Sequence, residues 1–424
     1  MKWFNKVLLL FKIKELRNKI IFVLLLLVVF RLAANIPVPG VDTEQLKAFF
    51  EGNQLFGLIN IFTGGAMSNF SIVMLGLGPY ITATIILQLL TMIFPKFKEL
   101  YHESGPEGKK KFNQYGRILT IPLAVLQAYS MIKLLGGQGV ISFMSPFAMV
   151  TGIIVITGGA IFLMWLGELI SEKGIGNGIS LLIFAGIIAG IPASIRQVIV
   201  TYDPSQLPTY IGFLVVAILV VAGVVIVSEG QRNVPVAYAK RVRGRRMYGG
   251  FSTHLPLRVN QAGVIPIIFA LSIMLLPGMI GNFLVNSSGF VGKIGGMLVA
   301  FNDNLLLYGL VYFVLVVAFT FFYTAVTFDP KAIAENIQKQ GGFVPGIRPG
   351  ENTAGFFYKI LNRITLAGAI FLGLIAVLPL VMQSVTGMAS MAIGGTAVLI
   401  VVSVVLETMK QVESQLTMRD YEGF

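Results

Sequence analysis

The chain has 424 residues, 55% of them hydrophobic and only 12% charged, against about 25% charged in a typical soluble domain. The apolar residues arrive in stretches of about 20, long enough to cross roughly 30 Å of hydrocarbon as helix, which excludes a soluble fold and predicts an all-α polytopic membrane protein. The absence of cysteine excludes disulfides, thiolate catalysis and iron–sulfur clusters, and the two histidines, His102 and His254, leave little room for histidine chemistry, while the net charge of +13 acquires meaning only from its distribution.

Apolar windows bounded by charge, Pro and Gly predict ten spans, the first five near 20–36, 73–94, 115–135, 147–167 and 178–200. The second five lie near 209–228, 261–281, 305–327, 360–382 and 390–408. Lys2, Lys6, Lys12, Lys14, Arg17 and Lys19 precede or enter the first span, and no small-residue cleavage site follows, so that span is expected to be retained. Of the 32 Lys and Arg, 27 fall in the terminal tails or in the 2/3, 4/5, 6/7 and 8/9 connections, counting flanking residues. The alternate connections hold Lys47, Lys133, Arg196 and Lys293, and Arg31 lies inside span 1. By the positive-inside rule both termini and the basic loops face the cytoplasm, so the excess charge is mostly topology. Ten spans divide into halves 1–200 and 201–424, and five spans per half permits an inverted repeat with a pathway between the halves.

Between spans 1 and 2, Gln54 to Phe70 carries Leu55, Leu58, Ile59 and Phe62 on one helical face ahead of Gly64-Gly65. It is too short to span, so it either lies flat at the outer interface or folds back into a protein-lined cavity. The run from Gly174 to Ser180 lacks the Lys-Ser/Thr and the preceding strand of a phosphate loop and reads as a tight turn between spans 4 and 5. Two long cytoplasmic connections follow, 231–260 and 329–359. In the first, Val234, Val236 and Tyr238 alternate, Lys240 to Arg246 forms a basic tip, and Met247-Tyr248 starts a return strand, which predicts a hairpin. In the second, Asp329 caps a short helix begun by Pro330 and ended by Gly341-Gly342, and a turn-rich stretch runs from Phe343 to Gly350. Such loops suit contact with anionic membrane lipids or with an acidic partner such as ribosomal RNA or a cytosolic protein; a hairpin with five basic residues at its tip favours the partner. No nucleophile elbow, zinc motif or intramembrane carboxylate pair is present, and Glu168, Glu229 and Glu407 fall near cytoplasmic ends, where snorkelling or capping accounts for them. Catalytic residues, metals and cofactors are therefore expected to be absent.

Several runs closely resemble the SecY family, the channel-forming subunits of bacterial protein translocases: Gly78 to Leu90, Gly167 to Ser180, Ser252 to Asn260 and Phe343 to Gly350. The resemblance covers essentially the whole chain in order. It implies a clamshell of two five-span halves in the bacterial plasma membrane, hinged at the 5/6 connection and opening sideways between spans 2/3 and 7/8. Unfolded secretory preproteins cross its centre, and signal sequences leave laterally. SecE braces it, SecG lies alongside, and SecA or a ribosome docks on the cytoplasmic loops.

Ile81 and Ile85 on span 2, and Ile183 and Ile187 on span 5, are spaced i, i+4, so each pair forms one stripe. By themselves these read as ordinary core isoleucines. The resemblance adds Ile268 and Ile400, completing a ring of six at mid-membrane that seals by dewetting. It also implies that 54–70 is a plug below the ring, with Leu55, Leu58, Ile59, Ile61 and Phe62 as its body and Gly64-Gly65 as its movable end. A lateral gate is expected to involve Gln88, seven residues from Ile81, with Gln127 on span 3 and Asn260 at the start of span 7, although static helix packing explains those polar residues equally. Arg243, Arg245 and Arg246 at the hairpin and Arg348 in the second loop match the family's SecA- and ribosome-facing basic positions. The competing class is a secondary small-solute transporter, which would place ionisable groups near mid-membrane; here only Arg31 lies well within a span.

Overall fold

A computed structural model of the chain describes residues 13–38, 46, 63–102, 105–137, 145–200, 204–238, 241–243, 246–248, 252–285, 289–386 and 395–422. The first half comprises α1 (Lys14–Ala33), α2 (Gly78–Ile93), α3 (Pro95–His102), α4 (Gly105–Gly137), α5 (Pro146–Lys173) and α6 (Gly178–Val200). The second comprises α7 (Leu207–Glu229), α8 (Ile265–Leu284), α9 (Phe290–Asp303), α10 (Leu305–Thr327), α11 (Pro330–Lys339), α12 (Glu351–Thr386) and α13 (Gly395–Glu422). A helix stands on each of the ten predicted spans. Among the described residues, five helical stretches meet the length and hydropathy of a membrane crossing on their own: 105–137, 146–173, 204–229, 305–339 and 351–382. A bent pair, α2 with α3, makes a sixth if read as one span, its axis turning by 115°.

Local chemistry explains the helix limits. Ser145 caps α5, its Oγ accepting from Ala148 N at 3.2 Å, and Pro146 takes the first turn, where a missing N–H costs nothing. Asn304 caps α10 in the same way, accepting from Leu307 N at 3.1 Å. Three threonines deep in the bundle satisfy themselves: the Thr120, Thr320 and Thr324 hydroxyls each donate at 2.7 Å to the carbonyl four residues earlier. The predicted turn between spans 4 and 5 is present. Asn177 Oδ1 accepts from Ile179 N at 3.1 Å, and Gly178 N donates to Ser171 Oγ at 2.8 Å. A Cβ on Gly178 would stand 1.9 Å from the Gly167 carbonyl oxygen, so the crossing admits only glycine there.

Two predicted readings change. Span 2 begins as helix at Gly78 and not at 73, because residues 63–77 form a chain of turns. The strand returning against β1 (Gln231–Tyr238) is not Met247-Tyr248 but β4 (Ser252–Arg258), antiparallel in the register Val234↔Leu255. Met247-Tyr248 belongs to a separate tip ladder of β2 (Arg241–Arg243) with β3 (Arg246–Tyr248). Helices α3 and α9, which connect spans, were not anticipated.

The main core joins both halves: α8 packs on α2 and α4, and α13 on α6 and α7. A second apolar cluster sits at the opposite end from the long loops, where Val38, Leu46, Phe70 and Met74 meet the ends of α4 and α5.

Candidate functional site

The six predicted isoleucines, carried by α2, α6, α8 and α13, all belong to the main apolar core, which also includes side chains of α1, α5, α7, α10 and α12. Ile85, Ile183, Ile187 and Ile400 are buried, and Ile81 and Ile268 pack against them partly buried. Three of them, Ile183, Ile268 and Ile400, floor a cavity of about 270 Å³ that opens toward the end carrying the long loops. Its lining is mixed: Asn177, Ser180, Asn260, Gln261, Glu407 and Arg258 are polar or charged, and Val264, Ile265 and Val404 are apolar. At its rim Lys410 Nζ pairs with Glu229 Oε1 at 2.7 Å, tying α13 to α7. Glu229 therefore has a specific partner beyond the snorkelling expected of it. So has Glu168, whose Oε1 accepts from Arg117 Nε at 2.7 Å and links α5 to α4.

Of the plug residues, Leu55, Leu58, Ile59, Ile61 and Phe62 lie outside the described residues. Gly64 and Gly65 lie within them, and residues 63–77 are packed among protein. Ala66, Phe70, Ser71, Val73 and Met74 are all at 0% exposure, because turn backbone is tolerated at membrane depth only where protein surrounds it. Ala66, Val73 and Leu77 share the cluster that holds the isoleucines. Gly64 adopts φ +69°, and a Cβ on it would stand 2.8 Å from Gly186 Cα, between Ile183 and Ile187 on α6.

The gate residues are not hydrogen-bonded to one another. Gln88 is buried on α2, and its Oε1 has no partner among the described residues. Gln127 is half-buried on α4 with its Oε1 beside Gly78, 3.8 Å from where a Cβ would stand. Asn260 lines the cavity instead, its Nδ2 donating to Gly263 O at 3.2 Å.

The two long loops form one platform. Strand β5 (Gly342–Phe343) adds to β1, pairing Ala237 with Phe343, so the sheet order is β4-β1-β5. Beneath it Val234, Val236, Leu257, Ile337, Val344 and Phe357 make a small core. Asp329 caps α11 as expected, accepting from Lys331 N at 2.9 Å. A strand of two residues is too short to show a period, so the joining of the loops left no signal in the sequence beyond the glycines that flank it. Arg348 is exposed on this platform, with its carbonyl accepting from Thr353 Oγ1 at 2.9 Å. Arg243 and Arg246 are directly paired in the tip ladder, and Arg245 lies outside the described residues.

Residues 71–409 match a family model described as SecY. The protein translocase subunit SecY of Mycobacterium leprae is 47% identical over 433 residues, covering 97% of each chain. Among solved structures, a SecY protein whose plug domain is described as stabilising the closed state of the translocation channel and maintaining a membrane seal superposes with a TM-score of 0.63 at 21% identity, over 93% of this chain and 91% of that one. Sec61 in a canine ribosome-channel complex of the endoplasmic reticulum gives 0.61 at 21% identity, with the same coverage.

Proposed function

This chain belongs to the SecY family and is the channel subunit of a protein translocase in a membrane it spans several times, and we propose that the isoleucine cluster is its seal and passage. The observation that carries this reading is that three of the six isoleucines, Ile183, Ile268 and Ile400, line one cavity from three helices, with all six and the end of the 54–70 segment belonging to the same apolar core. A preprotein entering from the loop side meets a wetted funnel and then a collar that makes no directional bonds. Dispersion contacts of about 0.1 to 0.2 kcal/mol per atom pair let the collar deform around a moving chain without trapping it. Residues 54–70 act as a plug, as the plug domain of the SecY structural relative stabilises the closed state of its channel and maintains a membrane seal.

The halves 1–200 and 201–424 hinge at the 5/6 connection, and the gate opens where α8 meets α2 and α4, with Gln88 and Gln127 on that side. The charge asymmetry supports cytoplasmic termini and loops in a bacterial plasma membrane. Work for transport comes from outside the chain, from SecA or a translating ribosome docked through Arg243, Arg245, Arg246 and Arg348, with SecE and SecG as companion subunits. Arginine suits that surface because its fork bonds carboxylate or phosphate bidentately. Family membership weighs against the solute-transporter alternative. Affinity purification in mild detergent, combined with depletion in cells, tests the reading. SecE-like and SecG-like subunits should co-purify and secretory-protein export should stop; export that continued after depletion would contradict it.

A further inference from the structure

We infer that Arg31 is a positioning residue that latches the inner end of the plug to α1 in the closed channel. Arg31 lies in the last turn of α1, inside an otherwise apolar span. A charge there is costly unless it faces protein and finds polar partners, and a long side chain near a helix end ordinarily turns outward to the membrane surface. Arg31 does not turn outward. Its Nη1 donates a hydrogen bond to the carbonyl of Gly64, 33 residues downstream. Its own carbonyl accepts from Asn35 Nδ2 at 2.8 Å, which stiffens the turn that presents it.

Gly64 is crowded from another side as well. Its φ of +69° excludes most side chains, and a Cβ on it would stand 2.8 Å from the Gly186 Cα on α6, a residue flanked in sequence by two of the ring isoleucines. The Gly64 peptide is thus clasped between a cation on α1 and the pore wall. The acceptor is a neutral carbonyl and not a carboxylate, so the bond can be surrendered to water when the plug moves.

The inference rests on the reading of 54–70 as a plug, and the experiment separates the two. The chain has no cysteine, so an Ala66→Cys reporter, at a site with 0% exposure, is a unique thiol. Channels reconstituted with their companion subunits are probed with an external maleimide and by ion conductance. Arg31→Leu should raise both reporter labelling and resting conductance on the order of tenfold, as loss of a hydrogen bond from a charged donor implies, with Arg31→Lys intermediate. Adding Arg31→Leu to a channel lacking 54–70 should change conductance no further, an absence of additivity that a general packing defect would not show. If Arg31→Leu does not assemble, Arg31→Gln is judged by the same criteria. Wild-type labelling and conductance in the Arg31 variant, with a leak in the plug deletion, would overturn the latch and leave the plug standing. Background conductance in the plug deletion itself would remove the plug and the latch together.

Discussion

Substitution of Gln88 by Leu should make the gate harder to open. Gln88 is 9% exposed on α2, and its Oε1 is buried without a hydrogen-bond partner among the described residues. An unsatisfied buried acceptor costs about 1 to 3 kcal/mol, and within membranes polar groups average nearer 0.6 kcal/mol because alternatives are found, so about 1 kcal/mol is a reasonable figure here. Separation of α2 from α8 on opening relieves that cost, because water or a signal segment then reaches the amide. Gln88→Leu removes the cost from the closed state alone and should reduce the open population roughly fivefold. A signal sequence compensates by adding apolar surface at about 0.8 kcal/mol per methylene, so the threshold for export should rise by one or two methylenes. The assay is export of a reporter behind signals of graded hydrophobicity in cells carrying only the variant channel. Gln127→Leu should shift the threshold less, since Gln127 is only half-buried. An unchanged or lowered threshold for Gln88→Leu would refute the reasoning.

Arg348→Ala should leave a correctly inserted, SecE-bound channel whose SecA-driven export is impaired in inverted vesicles; normal export from that variant removes Arg348 from docking. Phe357→Ala empties the centre of the platform core, where the ring is at 0% exposure, at a cost of about 3 to 5 kcal/mol. Hydrogen exchange should then rise in β1 and β5 while the membrane helices keep their protection, and unaltered exchange in β1 would show that the two loops do not depend on that core.

The ten apolar segments were legible because lipid leaves helix as the only unassisted way to satisfy backbone across the membrane, and residues 305–327 and 178–200 agree with α10 and α6 to the residue. Asp329 and Pro330 announced α11 through capping chemistry alone. The turns at 63–77 were hidden, since Ile72, Val73, Met74 and Leu75 are as apolar as the helix they precede and hydropathy cannot separate buried turns from a span. The tie between Arg31 and Gly64 was equally invisible, because a contact across 33 residues depends on tertiary placement. Ile81, Ile85, Ile183 and Ile187 showed their stripes by spacing, but nothing in the spacing linked them to Ile268 and Ile400; the resemblance supplied that link and the shared cluster supports it.

The ring itself is best tested by conductance. Serine at Ile81, Ile85, Ile183, Ile187, Ile268 and Ile400 together, with residues 54–70 also deleted, replaces the proposed aliphatic ring, three members of which line the cavity, with hydroxyls that hold water. Channels of this composition in planar bilayers should pass ions continuously and well above the plug deletion alone, while inverted vesicles carrying them retain substantial export. Conductance that stayed at background in the combined variant would contradict the assignment of the isoleucines as the seal.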